Sequence, residues 1–185
     1  MNTKINNIAN HFYKIMEELG LDMNNSSLKD TPKRVAKMYV NEVFKGLEPA
    51  NKPKITTFED ELNYKGLVQV KDIKVHSYCE HHFIPFIGTA KVAYIVDKKM
   101  LGLSKINRLV DFYSRKPQVQ EKLTQEIYNS FVEILGTENV AVEIVAEHLC
   151  VKLRGVQDQN SKTLTRKLGG QFFDDDKLRN EFLSY

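Results

Sequence analysis

The stretch GLVQVKDIKVHS, Gly66–Ser77, decides the fold class, because its apolar and polar residues alternate with a period of two. The alternation changes phase near Lys71 and Asp72, as it does at a β-bulge, and then resumes with Ile73 and Val75. This pattern predicts a long strand that contains a bulge.

Two later segments also have the composition of strands. The segment TAKVAYIVDKKMLGL, residues 89–103, predicts a second extended run with a turn at residues 97–99. The segment NVAVEIVAEHLCVKLRG, residues 139–155, predicts the final long strand, and a polar loop follows at residues 157–162.

Before the first strand, apolar residues spaced by three and four predict two helices. The second of them is predicted to be capped by Asp30 or Thr31, to carry Pro32 in its first turn and to end at Gly46. The polar segment EPANKPK, residues 48–54, predicts a linker between this helical region and the strands.

Between the last two strands the pattern returns to helical spacing. Ser104 is predicted to cap one helix, Pro117 to restart a longer one and Gly136 to end it. A short C-terminal helix is predicted over residues 175–183. Helices, antiparallel strands, two helices and further strands form an α+β pattern rather than a series of βαβ units.

Composition limits the possible classes of protein. The chain has 185 residues, of which 42% are hydrophobic and 28% charged, as in an ordinary soluble globular protein of one domain with a small appended segment. A net charge of +3 is too small to indicate nucleic acid and suits an anionic small ligand equally well. No signal peptide or membrane span is apparent, so we expect a cytoplasmic protein with reduced cysteines.

The first strand leads into YCEHHFIPF, residues 78–86, which contains one of the two cysteines. Cys79 and His82 have the C-x-x-H spacing that lets both side chains reach one metal ion, and Cys150 can add a third ligand. Two thiolates and one imidazole with an open fourth position are typical of catalytic zinc, which acidifies a bound water. The alternative is that both thiols are small buried hydrophobes.

The predicted last strand turns from apolar to polar on one face. If the strand is regular, His148, Cys150, Lys152 and Arg154 follow alanine and isoleucine on that face, which indicates that these polar groups have a partner. A closed zinc site would take His81 or His148 as its fourth ligand. In an open site these two histidines are either the general acid and base or groups that orient the ligands.

A second polar cluster lies in GLSKINRLVD. Ser104, Lys105 and Arg108 are predicted to lie in the first turns of a helix, where unpaired N–H groups favour anions, although such a pair of cations is more often a solvated face. Glu121 has the same ambiguity: it is either a surface carboxylate or an acceptor for two parallel N–H groups of an amidine-like edge.

Together these motifs strongly resemble the GTP cyclohydrolase I family, in the family's order. The likeness rests on CEHHFIPF, GLSKINRLVDFYSRKPQVQEKLT and AEHLCVKLRG, with TPKRVAKMYVNEVFKGL upstream and SKTLTRKLGG downstream, and it covers nearly the whole chain.

The resemblance assigns roles to individual residues. It implies a zinc ion held by Cys79, His82 and Cys150, and catalytic roles for His81 and His148. It also implies contacts to the substrate from six residues: Ser104, Lys105, Arg108, Gln120, Glu121 and Arg154.

The resemblance further implies a T-fold, an antiparallel sheet backed by helices, with an N-terminal helical arm over residues 1–50 and the catalytic domain over residues 51–185. It implies a homo-oligomer, usually a decamer of two pentameric rings, with active sites between subunits. The implied reaction opens the guanine ring of GTP at C8, releases formate and recloses the ring as 7,8-dihydroneopterin triphosphate, the first step of pteridine and tetrahydrofolate biosynthesis.

Two rival interpretations come from other classes. One is a T-fold nitrile reductase of the kind used in queuosine synthesis, with a cysteine nucleophile and no zinc; the second cysteine and the adjacent histidines disfavour it. The other is a non-catalytic nucleotide- or RNA-binding module with a closed structural zinc site.

Overall fold

The structure, a computed structural model, describes residues 3–61 and 63–184. Its strands are β1 (Thr57–Glu59), β2 (Leu67–Cys79), β3 (Pro85–Ile95), β4 (Lys99–Leu101), β5 (Pro117–Gln118), β6 (Val140–His148) and β7 (Thr163–Leu168). Its α-helices are α1 (Thr3–Glu18), α2 (Thr31–Met38), α3 (Leu103–Ser114), α4 (Gln120–Leu135), α5 (Leu149–Lys152), α6 (Gln171–Asp174) and α7 (Asp176–Ser184).

The five strands of the main sheet lie in the order β5-β2-β3-β6-β7, and every neighbouring pair is antiparallel except β5 and β2. β1 and β4 form a separate two-stranded sheet. The predicted bulge in β2 is confirmed, because the register against β3 shifts between Val70 and Ile73 and Asp72 has a φ of 56°.

Helices α3 and α4 pack on one face of the main sheet and enclose the core. The buried side chains of this core include Val75, Phe86, Val92, Ile106, Leu109, Leu123, Ile127, Phe131, Val142 and Ile144. A smaller cluster on the other face joins Ala93 and Ala141 to Phe172 and Phe182 of the C-terminal helices. The antiparallel sheet backed by helices confirms the expected α+β class and is consistent with the T-fold.

The N-terminal helix α1 packs mainly against α2. The apolar residues that predict this helix by their spacing are only partly covered within one chain, since Ile5 and Met16 are buried but Ile15 and Leu19 are exposed. The predicted C-terminal helix is also confirmed, as α7.

Helix α2 begins as predicted, with Pro32 in its first turn, but the Asp30 side chain makes no capping hydrogen bond. The helix does not run regularly to Gly46. It changes to a π-helical turn at Tyr39–Val43, and two short 3₁₀ turns follow, at Lys45–Leu47 and Pro49–Asn51.

Two predicted helix starts are wrong. Gly102, not Ser104, is the N-cap of α3, so Ser104 lies inside the first turn. Pro117 does not restart a helix; it pairs with Tyr78 at the edge of the sheet, where its missing N–H is tolerated, and α4 begins at Gln120.

The last predicted strand is too long. β6 ends at His148, and residues 149–152 form one helical turn instead. The reason lies on the neighbouring strand: Phe86 pairs with His148, and the preceding Pro85 has no N–H to extend the ladder. β7 was not predicted as a separate strand.

In the part of the chain that the structure describes, no helix is long and apolar enough to cross a membrane.

Candidate metal centre and active site

The connection between β2 and β3 places Cys79 and His82 on one tight turn. The carbonyl oxygen of Cys79 accepts hydrogen bonds from the N–H groups of His82 (3.3 Å) and Phe83 (2.8 Å). The N–H group of Cys79 donates to the Ile84 carbonyl oxygen (2.9 Å). Phe83 closes the turn with a φ of 56°, a left-handed conformation that is unfavourable for an aromatic residue. The turn folds the C-x-x-H segment back on itself.

The end of β6 supplies the other half of the site. His148 is the last residue of β6, and Cys150 lies in the helical turn that follows. Because the strand has already ended, Cys150 does not reach the site by strand alternation, which was the sequence prediction. The turn nevertheless leaves both side chains lining one cavity.

Cys79, His82 and Cys150 converge on one point. One potential ligand atom from each lies within 4.8 Å of the others. Four tetrahedral ligands at zinc bond lengths are separated by about 3.5–3.8 Å, and Cys79 Sγ lies 3.8 Å from His82 Nδ1. The group therefore fits a tetrahedral metal with three protein ligands, and soft thiolates favour zinc over hard cations.

Arg154 contacts the outer nitrogen of His82, the histidine of the candidate metal group. Its Nη1 lies 2.8 Å from His82 Nε2, and since a guanidinium only donates, Nε2 is the acceptor. Metal ligation through Nδ1 would place the ring proton on Nε2. Arg154 would then have to turn away from His82.

His81 lies beside the metal group rather than within it. Its Nδ1 is 3.8 Å from Cys79 Sγ, but its side chain is 65% exposed. Glu80, to which no role is assigned from the sequence, has a carboxylate oxygen 3.9 Å from His81 Nε2. The exposed imidazole is free to meet a ligand that enters the cavity.

His148 is held more firmly than His81. Its ring stacks on Phe86, with centroids 4.7 Å apart and an angle of 10° between the planes, and its Nε2 lies 2.8 Å from Gln120 Oε1. Burial lowers the pKa of His148, and the nearby Glu121 carboxylate opposes that shift. The neutral imidazole is thus favoured over the charged form.

The Cys150 thiol is also affected by its surroundings. Burial raises its pKa, and the hydrogen bond and charge of Cys79 raise it further. The Cys150 thiol is therefore costly to ionise without a cation, and a bound metal ion would reverse that cost.

A cavity of about 360 Å³ opens onto the metal group. The residues that line it include Cys79, His81, His82, Gln118, Val119, Gln120, Glu121, His148, Cys150 and Arg154. Eight of the eleven residues predicted for the site thus share one cavity: the three candidate metal ligands, the two predicted catalytic histidines, Gln120, Glu121 and Arg154.

The other three predicted residues lie elsewhere in the chain. Ser104, Lys105 and Arg108 are on α3 and are not among the described residues that line this cavity. Arg108 lines a second cavity of about 430 Å³, together with Lys45 and Lys74. Within one chain, the predicted phosphate cluster and the metal group are separate.

Comparison of the whole chain with known proteins identifies its family. The family model described as GTP cyclohydrolase I matches residues 8–185. The chain is 53% identical to the GTP cyclohydrolase 1 of Erwinia tasmaniensis over 176 residues, which are 95% of this chain and 80% of that protein. The enzyme of the same name from Wigglesworthia glossinidia brevipalpis is 50% identical over 97% of this chain and 83% of its own length. The chain belongs to the GTP cyclohydrolase I family.

In this member of the GTP cyclohydrolase I family, Gln118 also lines the cavity, although no sequence motif pointed to it. The residue is completely buried. Its Nε2 donates to Ser77 Oγ (3.0 Å) and to the Tyr113 carbonyl oxygen (2.6 Å), but its Oε1 is buried with no partner among the described residues. A polar residue at the predicted start of a helix is usually solvated, so the pattern gave no reason to expect a buried amide.

The cavity beside the metal group is smaller than another cavity of the chain. A cavity of about 540 Å³ lies between α1 and the π-helical turn, and Phe83 on the metal turn forms part of its wall. Its described lining residues include no histidine or cysteine. The smaller cavity is therefore the one lined by thiol and imidazole groups.

The geometry predicts which residues hold the metal. Zinc-loaded wild-type protein should retain about one ion per chain after dialysis, whereas Cys150→Ala should lose most of it, because two ligands bind zinc far less tightly than three. Metal analysis by atomic emission measures both.

His81→Asn is the matched variant, since His81 is as near to Cys79 Sγ as His82 is but lies outside the group of three. It should retain its metal. Loss of zinc from this variant would mean that His81 is a fourth ligand and that the site is closed.

Proposed function

We propose that this chain catalyses the hydrolytic opening of the guanine ring of GTP at C8, with release of formate and reclosure to 7,8-dihydroneopterin triphosphate. The observation that carries the proposal is the joint cavity, in which a three-ligand metal group, two further histidines and Glu121 line one space. Membership of the GTP cyclohydrolase I family and relatives at about 50% identity support it.

Zinc is the proposed cofactor, held by Cys79, His82 and Cys150. A zinc ion held there would supply Lewis acidity, the chemistry that makes a water molecule nucleophilic at neutral pH. The protein contributes the turn after β2, which presents two of the proposed ligands, and the helical turn after β6, which presents the third.

Glu121 is the proposed acceptor for the guanine edge. It is the second residue of α4, it is exposed, and it lines the cavity. A carboxylate accepts two parallel N–H groups, and guanine offers such a pair at N1 and the 2-amino group. This contact would orient the base so that C8 points to the metal group, which is catalysis by positioning.

His148 and His81 are the proposed groups for proton transfer. The guanine imidazole ring must gain a proton on nitrogen as C8 is hydrated and as its C–N bond breaks. Both imidazoles line the cavity, His148 half-buried and His81 largely exposed, so either can meet a ring bound there.

The triphosphate is proposed to be bound by Arg154 together with Ser104, Lys105 and Arg108 of a neighbouring subunit. Two observations favour a shared site. The three α3 residues lie away from the metal cavity of their own chain, and β7 is an edge strand of the sheet on which another chain can pair. A ring-shaped homo-oligomer, a decamer of two pentamers, is the assembly we propose.

The proposed reaction predicts two products from zinc-loaded protein and GTP. Formate should appear in step with a pterin that becomes fluorescent after oxidation, and a chelator should abolish both because the ligand group is then empty. Zinc-loaded protein that yields neither product would refute the proposed function.

Glu121→Gln tests the guanine contact. One of the two acceptor oxygens becomes a donor that faces an N–H group, so kcat/KM for GTP should fall by about 100-fold or more, as for loss of a charge-assisted pair. Steady-state kinetics and metal analysis check that zinc stays bound.

Glu133→Gln is the matched control, since Glu133 is an exposed glutamate at the far end of the same helix. It should behave as wild type. Equal activity of both variants would remove Glu121 from the site.

A complementation experiment tests the shared site. Lys105→Ala and Cys150→Ala should each be inactive alone, the first through the phosphates and the second through the metal. Unfolded together in equal amounts and refolded, they should recover about a quarter of wild-type activity, because a quarter of sites then combine two intact halves. No recovery, although mixed oligomers form, would mean that each site lies within one chain.

A further inference from the structure

The side chain of Gln120 has a single possible orientation. It is only 1% exposed, and its Nε2 lies 3.1 Å from the Ile144 carbonyl oxygen, 3.1 Å from the Thr163 carbonyl oxygen and 3.0 Å from Thr165 Oγ1. Carbonyl oxygens only accept hydrogen bonds, so the NH₂ group must face them. The flipped amide would set Oε1 against two carbonyl oxygens and leave both carbonyls without this donor.

The neighbouring hydroxyls agree with this orientation. Thr124 Oγ1 donates to the Gln120 carbonyl oxygen (3.0 Å) and therefore accepts from Thr165 Oγ1, which lies 2.6 Å away. With its own hydrogen committed to Thr124, the Thr165 hydroxyl accepts from Gln120 Nε2. The donor and the acceptor of every hydrogen bond in this buried network are therefore determined.

The orientation of Gln120 determines which ring nitrogen of a neutral His148 carries the hydrogen. With the NH₂ group committed, Oε1 faces His148 Nε2 at 2.8 Å and can only accept, so Nε2 carries the ring hydrogen. A neutral imidazole has one N–H, which leaves the lone pair on Nδ1. The ring cannot easily turn to exchange the two nitrogens, because it is stacked on Phe86.

We propose that Gln120 is a positioning residue that holds His148 as the Nε2–H tautomer, so that Nδ1 is the nitrogen of His148 that exchanges protons with the substrate. Gln120 acts through the histidine, since both hydrogens of its amide are used inside the protein. This inference rests on the proposed function for the substrate but not for the tautomer itself.

The tautomer can be measured on the zinc-loaded wild-type protein. Magic-angle-spinning NMR of protein labelled with ¹⁵N-histidine separates protonated from unprotonated ring nitrogens, and the His148→Asn spectrum identifies the His148 signals among the five histidines. We expect a protonated Nε2 and an unprotonated Nδ1. A wild-type spectrum with the hydrogen on Nδ1 would overturn the inference, whatever any variant does.

Gln120→Met tests whether Gln120 is the cause. Methionine has a similar length but no strong acceptor, so the His148 signals should become a mixture of both tautomers. The kcat for GTP should fall by about 10- to 100-fold, the usual cost of losing a group that orients a functional histidine, with KM changed by less than about threefold. An unchanged tautomer, or a rise in KM at constant kcat, would contradict a positioning role.

Thr165→Val is the matched control. It removes one acceptor of the Gln120 amide but leaves the two carbonyl oxygens that fix its orientation. It should lose some thermal stability while keeping the wild-type tautomer and kcat. Wild-type protein that fails to turn over GTP would refute the proposed function, whereas the NMR result decides the tautomer independently.

Discussion

The register of β3 between its two neighbours is the constraint on which the site depends. Phe86 pairs with Ser77 of β2 on one side and with His148 of β6 on the other, so the ends of β2 and β6 meet at one corner of the sheet. Gly88 permits the close approach of β3 and β6, since a Cβ atom there would lie 2.0 Å from the Val145 carbonyl oxygen. A slip of one residue would turn every side chain of β3 to the opposite face and separate the two halves of the metal group.

The sequence was sufficient where chemistry and local periodicity agree. The bulge before Ile73 was visible as a phase change, and the α+β order followed from the alternation of periods. The convergence of Cys79, His82 and Cys150 was predicted from ligand type and C-x-x-H spacing. These features depend on residues close together in sequence, or on the small number of residues that can bind a soft metal.

The sequence was insufficient where a distant residue decides. β6 ends at His148 because Pro85 on another strand offers no N–H, and nothing in the β6 segment itself signals that end. Pro117 has the local features of a helix start, but in the folded chain it pairs with Tyr78 of β2. The local pattern gives no reason to expect Gln118 and Gln120 to be buried. Gln118 is buried as part of β5, and Gln120 is buried against β6 and β7, where its amide donates to carbonyl oxygens. Tertiary packing overrides the local pattern in each case.

The first turn of α4 explains how the two sides of the cavity stay aligned. Successive helical residues project about 100° apart, so Gln120 enters the protein interior and meets His148 while Glu121 faces the cavity. Burying the Gln120 amide is tolerable only because every one of its hydrogens has an acceptor, since a half-satisfied network would cost about 1–3 kcal/mol for each orphaned group. The same satisfied network links the helix start to β6 and β7. The Gln120–His148 contact therefore joins the helix turn that carries Glu121, the residue proposed to orient the base, to the imidazole proposed to exchange protons, so their backbones are already in place when a ligand arrives.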